Sequence, residues 1–148
     1  MKIAINKQFG GFRLSHKAMM RIFELKGIKV YPYFSEGDHF IKAPVDYKQT
    51  GFGLLYYLKK DLGDSMEDDA LDYDLVIDDS DLFGDNYYET KKDRIDIHLI
   101  QAIEELGKEA NTVVSNLKIV EIPDGYKFSI HDYDGLETLT AASDILEF

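Results

Sequence analysis

Between Asp61 and Glu89 the chain reads DLGDSMEDDALDYDLVIDDSDLFGDNYYE, with 12 carboxylates and not one Lys, Arg or His. Carboxylates at this density stay in water, because an unpaired buried charge costs far more than a core contact returns. The stretch therefore has to run over the surface, and most of the core has to come from either side of it. The whole chain holds 28 acids and 17 bases, a net charge of −11. Outside the stretch, 16 acids face 17 bases, so the excess charge sits in one place. We read residues 1–148 as a single domain with an acidic insertion-like segment at about 61–89.

The remainder has the means to fold. Hydrophobic residues make up 45% of the chain, and 10 Tyr and 9 Phe suit a sheet face or an interface, a homodimer included. The absence of Cys excludes a disulfide framework, a thiolate metal site and a Cys nucleophile, and fits a reducing cytoplasm. The opening MKIAINKQFGG has an apolar burst too short for a secretion signal, and no apolar run approaches the ~20 residues that span a bilayer. The negative charge argues against direct binding to nucleic acid or an anionic membrane, so an electrostatic partner has to be basic.

Lys2 to Asn6 alternates as a strand, and Gly10-Gly11 breaks it. Ser15 reads as the N-cap of a helix over His16–Lys26, with Leu14 and Met19 spaced as a hydrophobic staple and Gly27 as the C-cap. Ile28 to Phe34 alternates, and Pro32 places it at a sheet edge; His39 to Lys42 returns after a turn. Tyr47 to Lys60 is ambiguous, since Gly51 and Gly53 weaken a helix there. Inside the acid, Tyr73, Leu75 and Ile77 alternate as a strand. Asp96 to Leu106 is a second helix, capped by Asp93 or Asp96 and ended by Gly107. Leu117 to Ile122 and Tyr126 to His131 flank Pro123-Asp124-Gly125 and read as a hairpin, with a short mixed tail from Leu136. The sum is an α+β fold: a mainly antiparallel sheet with two principal helices packed on it and a C-terminal β-hairpin.

Few motifs carry chemistry. Two glycines between a strand and a helix can offer N–H groups to an anion, flanked here by Lys7 and Arg13, but they lack the spacing of a dinucleotide or P-loop fingerprint. Taken as a calcium loop from Asp79, the segment puts Phe83 at the fifth position and Thr90 at the twelfth, where a Glu is required. His16, His39, His98 and His131 show no metal-ligand spacing. Glu104-Glu105 reads as a solvated helix face, and the HDYDG stretch, His131 to Gly135, as a turn of clustered polar groups. Ser15 has no nucleophile-elbow context. No catalytic constellation assembles, so the reading leans away from an enzyme, with no metal site and no cofactor.

Two stretches, KIAINKQFGGFRLS and LIQAIEELGKEANTVVSNLKIVEIPDGYKFSIHDYDGLE, resemble a family of small proteins common in bacteriophages and prophages. The matching segments are Lys2 to Ser15, Glu104 to Asn111, Leu117 to Asp124 and Tyr133 to Gly135. The acidic middle and the ending TLTAASDILEF depart from that family's pattern. The resemblance implies a protein of the infected or lysogenic bacterial cytoplasm. It carries over no catalytic residue, because the family has no settled activity.

Two functional expectations follow. In the first, a phage-encoded accessory protein presents Asp74, Asp78, Asp79, Asp81, Asp85, Tyr87 and Tyr88 to a basic host surface, such as a nucleic-acid-binding site on a defence protein. Tyr73 and Phe83 add apolar anchors. In the second, a nucleotide or other small ligand is sequestered or hydrolysed at the Gly-Gly turn by Lys7, Gly10, Gly11, Arg13, Ser15, Asp132 and Asp134. A structural phage protein is a third reading.

Overall fold

The computed structural model of the chain describes residues 1–48 and 54–143. Gly51 and Gly53 lie outside the described residues. The elements are β1 (Lys2–Asn6), α1 (His16–Leu25), β2 (Tyr31–Glu36), β3 (His39–Lys42), β4 (Leu55–Leu58), β5 (Ser65–Glu67), α2 (Asp79–Phe83), α3 (Tyr87–Thr90), α4 (Ile97–Leu106), β6 (Leu117–Glu121), β7 (Tyr126–Tyr133) and β8 (Leu136–Ser143). The fold is α+β, and every strand ladder among the described residues is antiparallel.

β1 pairs with β6 to form a two-stranded ribbon that is covered on both faces. Strand alternation sends Ala4 toward one face and Ile3 and Ile5 toward the other. Ala4 joins Ala18 and Ile22 of α1, Leu99, Ala102 and Ile103 of α4, and Leu117 of β6. Ile3 and Ile5 pack with Ile122 and with Phe128, Ile130 and Leu139 of the β7–β8 hairpin. Both helices begin as their sequences require. The Ser15 hydroxyl accepts the Ala18 N–H at 3.1 Å and donates to the Glu109 carbonyl at 2.6 Å. Asp96, not Asp93, caps α4, accepting from the His98 and Leu99 N–H groups. Leu14 and Met19 both pack against the helical core, as a staple does. Glu104 and Glu105 are exposed but paired: Glu104 holds Lys2, and Glu105 holds Arg21 across the α1–α4 seam. The Arg21 and Gln101 side chains hold the Glu105 carboxyl down at about 2.

The hairpin expectation holds with different strands. Leu117 to Ile122 pairs with β1, and Tyr126 to Tyr133 pairs with Leu136 to Ser143, which forms a regular strand rather than a mixed tail. Pro123-Asp124-Gly125 thus carries the chain from one sheet to another. Asp124 is held there by the N-terminal ammonium at 2.8 Å.

The second sheet has the order β4-β2-β3-β5, so Pro32 lies in an interior strand rather than at an edge. The missing N–H explains why this is tolerated. The Pro32 carbonyl accepts from the Ala43 N–H at 2.9 Å, so the proline nitrogen also faces the β3 side, one step beyond the last ladder pair, Tyr33–Lys42. The one bond lost is the return bond to the Ala43 carbonyl, at the end of the β2–β3 ladder, and the pairing with β4 on the other side is untouched. The acidic segment belongs to this half of the molecule. It supplies β5, buries Leu71 with Tyr33, Phe40 and Leu58, and buries Leu82 with Phe23 and Tyr57. The predicted strand at Tyr73 to Ile77 is instead a 3-10 turn over Tyr73–Leu75, followed by a single antiparallel bridge from Val76 to Leu58. The Asp72 side chain accepts the Asp74 N–H at 3.0 Å and turns the chain there.

His16 joins the two halves. It is buried, stacked on Tyr57 at a centroid distance of 5.6 Å. Its Nε2 lies 3.0 Å from the Pro44 carbonyl and must donate, so its Nδ1, 2.9 Å from the Tyr57 hydroxyl, accepts. That arrangement is the neutral imidazole, and burial lowers the His16 pKa. The unfolded chain then binds the extra proton first, so stability falls as pH drops below the ordinary histidine pKa of about 6.5 and levels off below the folded value. An NMR titration should find His16 protonating below the ordinary histidine range. A His16→Gln variant should lose this step in a stability-versus-pH curve.

Candidate functional site

The acidic segment is built as a scaffold of caps. Asp78 accepts the Asp81 N–H, and Asp81 accepts the Asp78 N–H, each at 3.0 Å. This reciprocal box starts α2, with the Ser80 hydroxyl adding a 2.6 Å bond to Asp78. Those bonds hold the Asp78 carboxyl below its usual range, the Ser80 hydroxyl most of all. Gly84, at φ 89°, ends α2 and leads to α3. All 12 carboxylates of the segment are exposed. Among the described residues only Asp61 forms an ion pair, with Lys42 at 2.7 Å. The other eleven stand uncompensated on ordered backbone.

The predicted residues divide by role. Asp74 and Asp85 are exposed, and neither carboxylate has an ion pair among the described residues. Asp78 and Asp81 are exposed but serve the cap. Asp79 accepts from the Tyr87 hydroxyl at 3.3 Å. Tyr88 is 70% exposed, with Lys91 Nζ 4.7 Å from its ring centre, and Tyr73 is 66% exposed. Phe83 is no anchor for a partner, because it packs against two of the hydrophobic cores.

The structure also brings the Gly-Gly turn and the HDYDG turn together, as an interlock. The Gly10 N–H donates to the Asp134 carbonyl at 2.8 Å, and the Gly11 N–H to the Val114 carbonyl at 3.4 Å. Asn6 Nδ2 donates to the Gly135 carbonyl at 2.7 Å, and Asp132 accepts the Gly135 N–H at 2.7 Å. Lys7 Nζ reaches the Glu137 carbonyl at 2.8 Å. The donors an anion would need are already used on carbonyls. Ser15 is occupied with its cap, and Arg13 lines a cleft with the acidic segment instead. Among the described residues no three His, Asp or Glu side chains converge as metal ligands, and no helix is long and apolar enough to cross a membrane.

Arg13, Asp79, Tyr87 and Tyr88 stand out in the sequence, but nothing there joins them in the cleft that they line. It encloses about 490 Å³ between the α1–α4 layer and the acidic segment, with Phe12, Tyr57, Phe83 and Leu99 among its apolar walls. Its floor is charged. Arg94 is buried and bonded bidentately to buried Glu137, at 2.6 and 2.7 Å, with Phe12 stacked 3.6 Å from the guanidinium carbon. Asp93 touches Arg94 Nε with Oδ2 at 3.2 Å, while its Oδ1 is buried with no partner among the described residues. Such an orphaned acceptor costs about 1–3 kcal/mol. Burial raises the Asp93 pKa against the lowering charge of Arg94. Asp79 is exposed as a residue, yet desolvation is still the largest influence on its carboxyl and raises its pKa, with the charge of Asp78 adding to it. Burial also raises the Tyr87 hydroxyl, and Asp79, Asp93 and Asp78 push it further, so these carboxylates gather around one phenol. In the sequence KKDRID looks like a solvated charge run, and nothing local marks Glu137. No protein-family model, no curated protein and no solved structure matches this chain.

Proposed function

We propose that the protein acts by binding, with the acidic face as its working surface and a basic surface of a bacterial host protein as its partner. One observation carries the reading: eleven carboxylates with no ion pair among the described residues are held on capped backbone beside exposed Tyr73 and Tyr88. A solubilising tail needs neither Leu71 and Leu82 in the core nor a capping box, whereas a surface that imitates spaced phosphates needs both to hold its charges in place. The exposed tyrosines supply apolar area that charge alone lacks. The resemblance to phage proteins supports a host protein as the target, with a nucleic-acid-binding site as the matching chemistry.

The test is capture from a bacterial lysate by the immobilised protein and by a variant with Asp68, Asp69, Asp74 and Asp85 changed to Asn. This choice spares the capping residues Asp72, Asp78 and Asp81. Basic proteins should be retained by the native chain, released by salt or heparin, and reduced roughly tenfold or more on the variant. Equal retention of the same proteins by both would refute the proposal.

A further inference from the structure

We propose that the outer edge of β7 docks a second copy of this chain, the two β7 strands pairing antiparallel across a two-fold axis at Ser129. Strand β7 pairs with β8 residue for residue over Tyr126–Tyr133, without a bulge. The turn between them is Asp134-Gly135, with φ at 50° and 88°, so the flanking pair Tyr133–Leu136 exchanges both main-chain bonds. Bonding then alternates along the ladder. Lys127, Ser129, His131 and Tyr133 bond to β8, while Phe128, Ile130 and Asp132 aim their N–H and C=O groups outward. Among the described residues those outward groups have no main-chain partner. The outer edges of β1 and β4, by contrast, are occupied. On β1 the Ala4 N–H goes to the Arg94 carbonyl and the Asn6 N–H to Glu137; on β4 the Tyr57 carbonyl takes the Ile77 N–H, and Val76 bridges Leu58. An eight-residue edge with neither Pro nor bulge is a template for another strand.

The edge is complementary to itself, which selects a second copy as its occupant. With the axis at Ser129, Phe128 of each chain stands opposite Ile130 of the other, an aromatic–β-branched pair of the kind that stabilises sheets. Both side chains are half-buried against Ile3, Ile5 and Ile122, so the pairing carries that core across the axis. Tyr126 stands opposite Asp132, whose Oδ1 takes the Gly135 N–H at 2.7 Å and whose Oδ2 suits the phenol hydroxyl. On the solvent face the two Ser129 hydroxyls meet. Moving the axis to Ile130 would set Phe128 against the Asp132 carboxylate instead. Lys127 facing His131 is the least favourable pair. The net charge of −11 per chain also opposes association, but its source is the segment at 61–89, which supplies β5 of the other sheet. Strand β7 itself carries one Lys and one Asp.

The test is analytical ultracentrifugation of the full chain from about 10 µM to about 1 mM, with a cysteine placed at the axis. The mass should rise with concentration toward twice the 17.0 kDa of one chain. Association should tighten as sodium chloride is added, since salt screens the like charge of the two acidic segments. The chain has no Cys, so Ser129→Cys is a single reporter. The axis sets the two Cα atoms about 4.5 Å apart, within disulfide range. With diamide as oxidant, this variant should form a covalent dimer at least about tenfold faster than His131→Cys, whose thiol faces Lys127. Ser129→Glu should weaken association about fivefold by setting like charges opposite one another. Positions 129 and 131 are exposed, so the variants keep the fold, which far-UV circular dichroism checks. A monomer at every concentration overturns the proposal. So does equal cross-linking of the two cysteine variants, which moves the interface away from this register. A dimer that dissociates in salt overturns it as well, because the acidic face then makes the contact.

Discussion

Glu137→Ala should destabilise the protein by about 3–5 kcal/mol, because it leaves the Arg94 guanidinium buried without its counter-charge. Both side chains are nearly enclosed, at 9% and 4% exposure. The pair also ties distant parts of the chain together. Glu137 Oε1 accepts the Asn6 N–H at 2.8 Å, and the Arg94 carbonyl accepts the Ala4 N–H at 2.9 Å. Strand β1, the turn before α4 and strand β8 therefore meet at one ion pair. Urea unfolding followed by circular dichroism measures the loss as a lower midpoint with an unchanged slope. The double variant Arg94→Met, Glu137→Leu should recover part of it, since the orphaned charge is gone. Recovery should be incomplete, because Asn6 N–H keeps no acceptor and costs about 1–3 kcal/mol. A single variant as stable as the native chain would show that the pair is not closed in solution.

The second large effect is expected at Gly135. A Cβ there would sit 2.3 Å from the Gly10 carbonyl carbon and 2.4 Å from the Gly11 nitrogen. These are main-chain atoms, so no side chain can move aside to admit it. The residue also holds φ at 88°, a conformation that side chains rarely adopt. Gly135→Ala should cost more than about 4 kcal/mol, clash and strain together. Gly125→Ala is the control: its φ is also positive, at 85°, but a Cβ there would meet nothing within 4 Å, so it should cost only the strain. Thermal unfolding of the two variants separates the terms, at roughly 3 °C per kcal/mol for a chain of this length. Equal losses would mean the interlocked turns do not touch.

The interlock shows where reading the sequence succeeds and where it stops. Both principal helices, their caps and the staple are legible, because each is decided by residues within a few positions of one another. The α+β class follows from the same local patterns. Pairing is different. The strand Leu117 to Ile122 has an obvious partner just after it in sequence, yet it pairs with β1 from the far end of the chain. Pro32 has the look of an edge residue, and only the register of Tyr33 with Lys42 confines its missing bond to the end of a ladder inside the sheet. Asp78 and Asp81 have cap spacing, but the density of acid around them hides it behind calcium ligation and partner charge. The Arg94–Glu137 pair gives no local signal, since its members are 43 positions apart.

By itself the sequence determined that the charge is concentrated in one segment, that this segment lies at the surface, and that two capped helices form. These follow from composition and short-range spacing. The tertiary structure alone decided that the acidic segment is a fitted part of the fold, that Gly10 and Gly11 spend their N–H groups on protein carbonyls, and that Asp79 and Asp93 share a cleft. Each of these depends on contacts between residues far apart in the chain, and such contacts exist only once the core has brought them together.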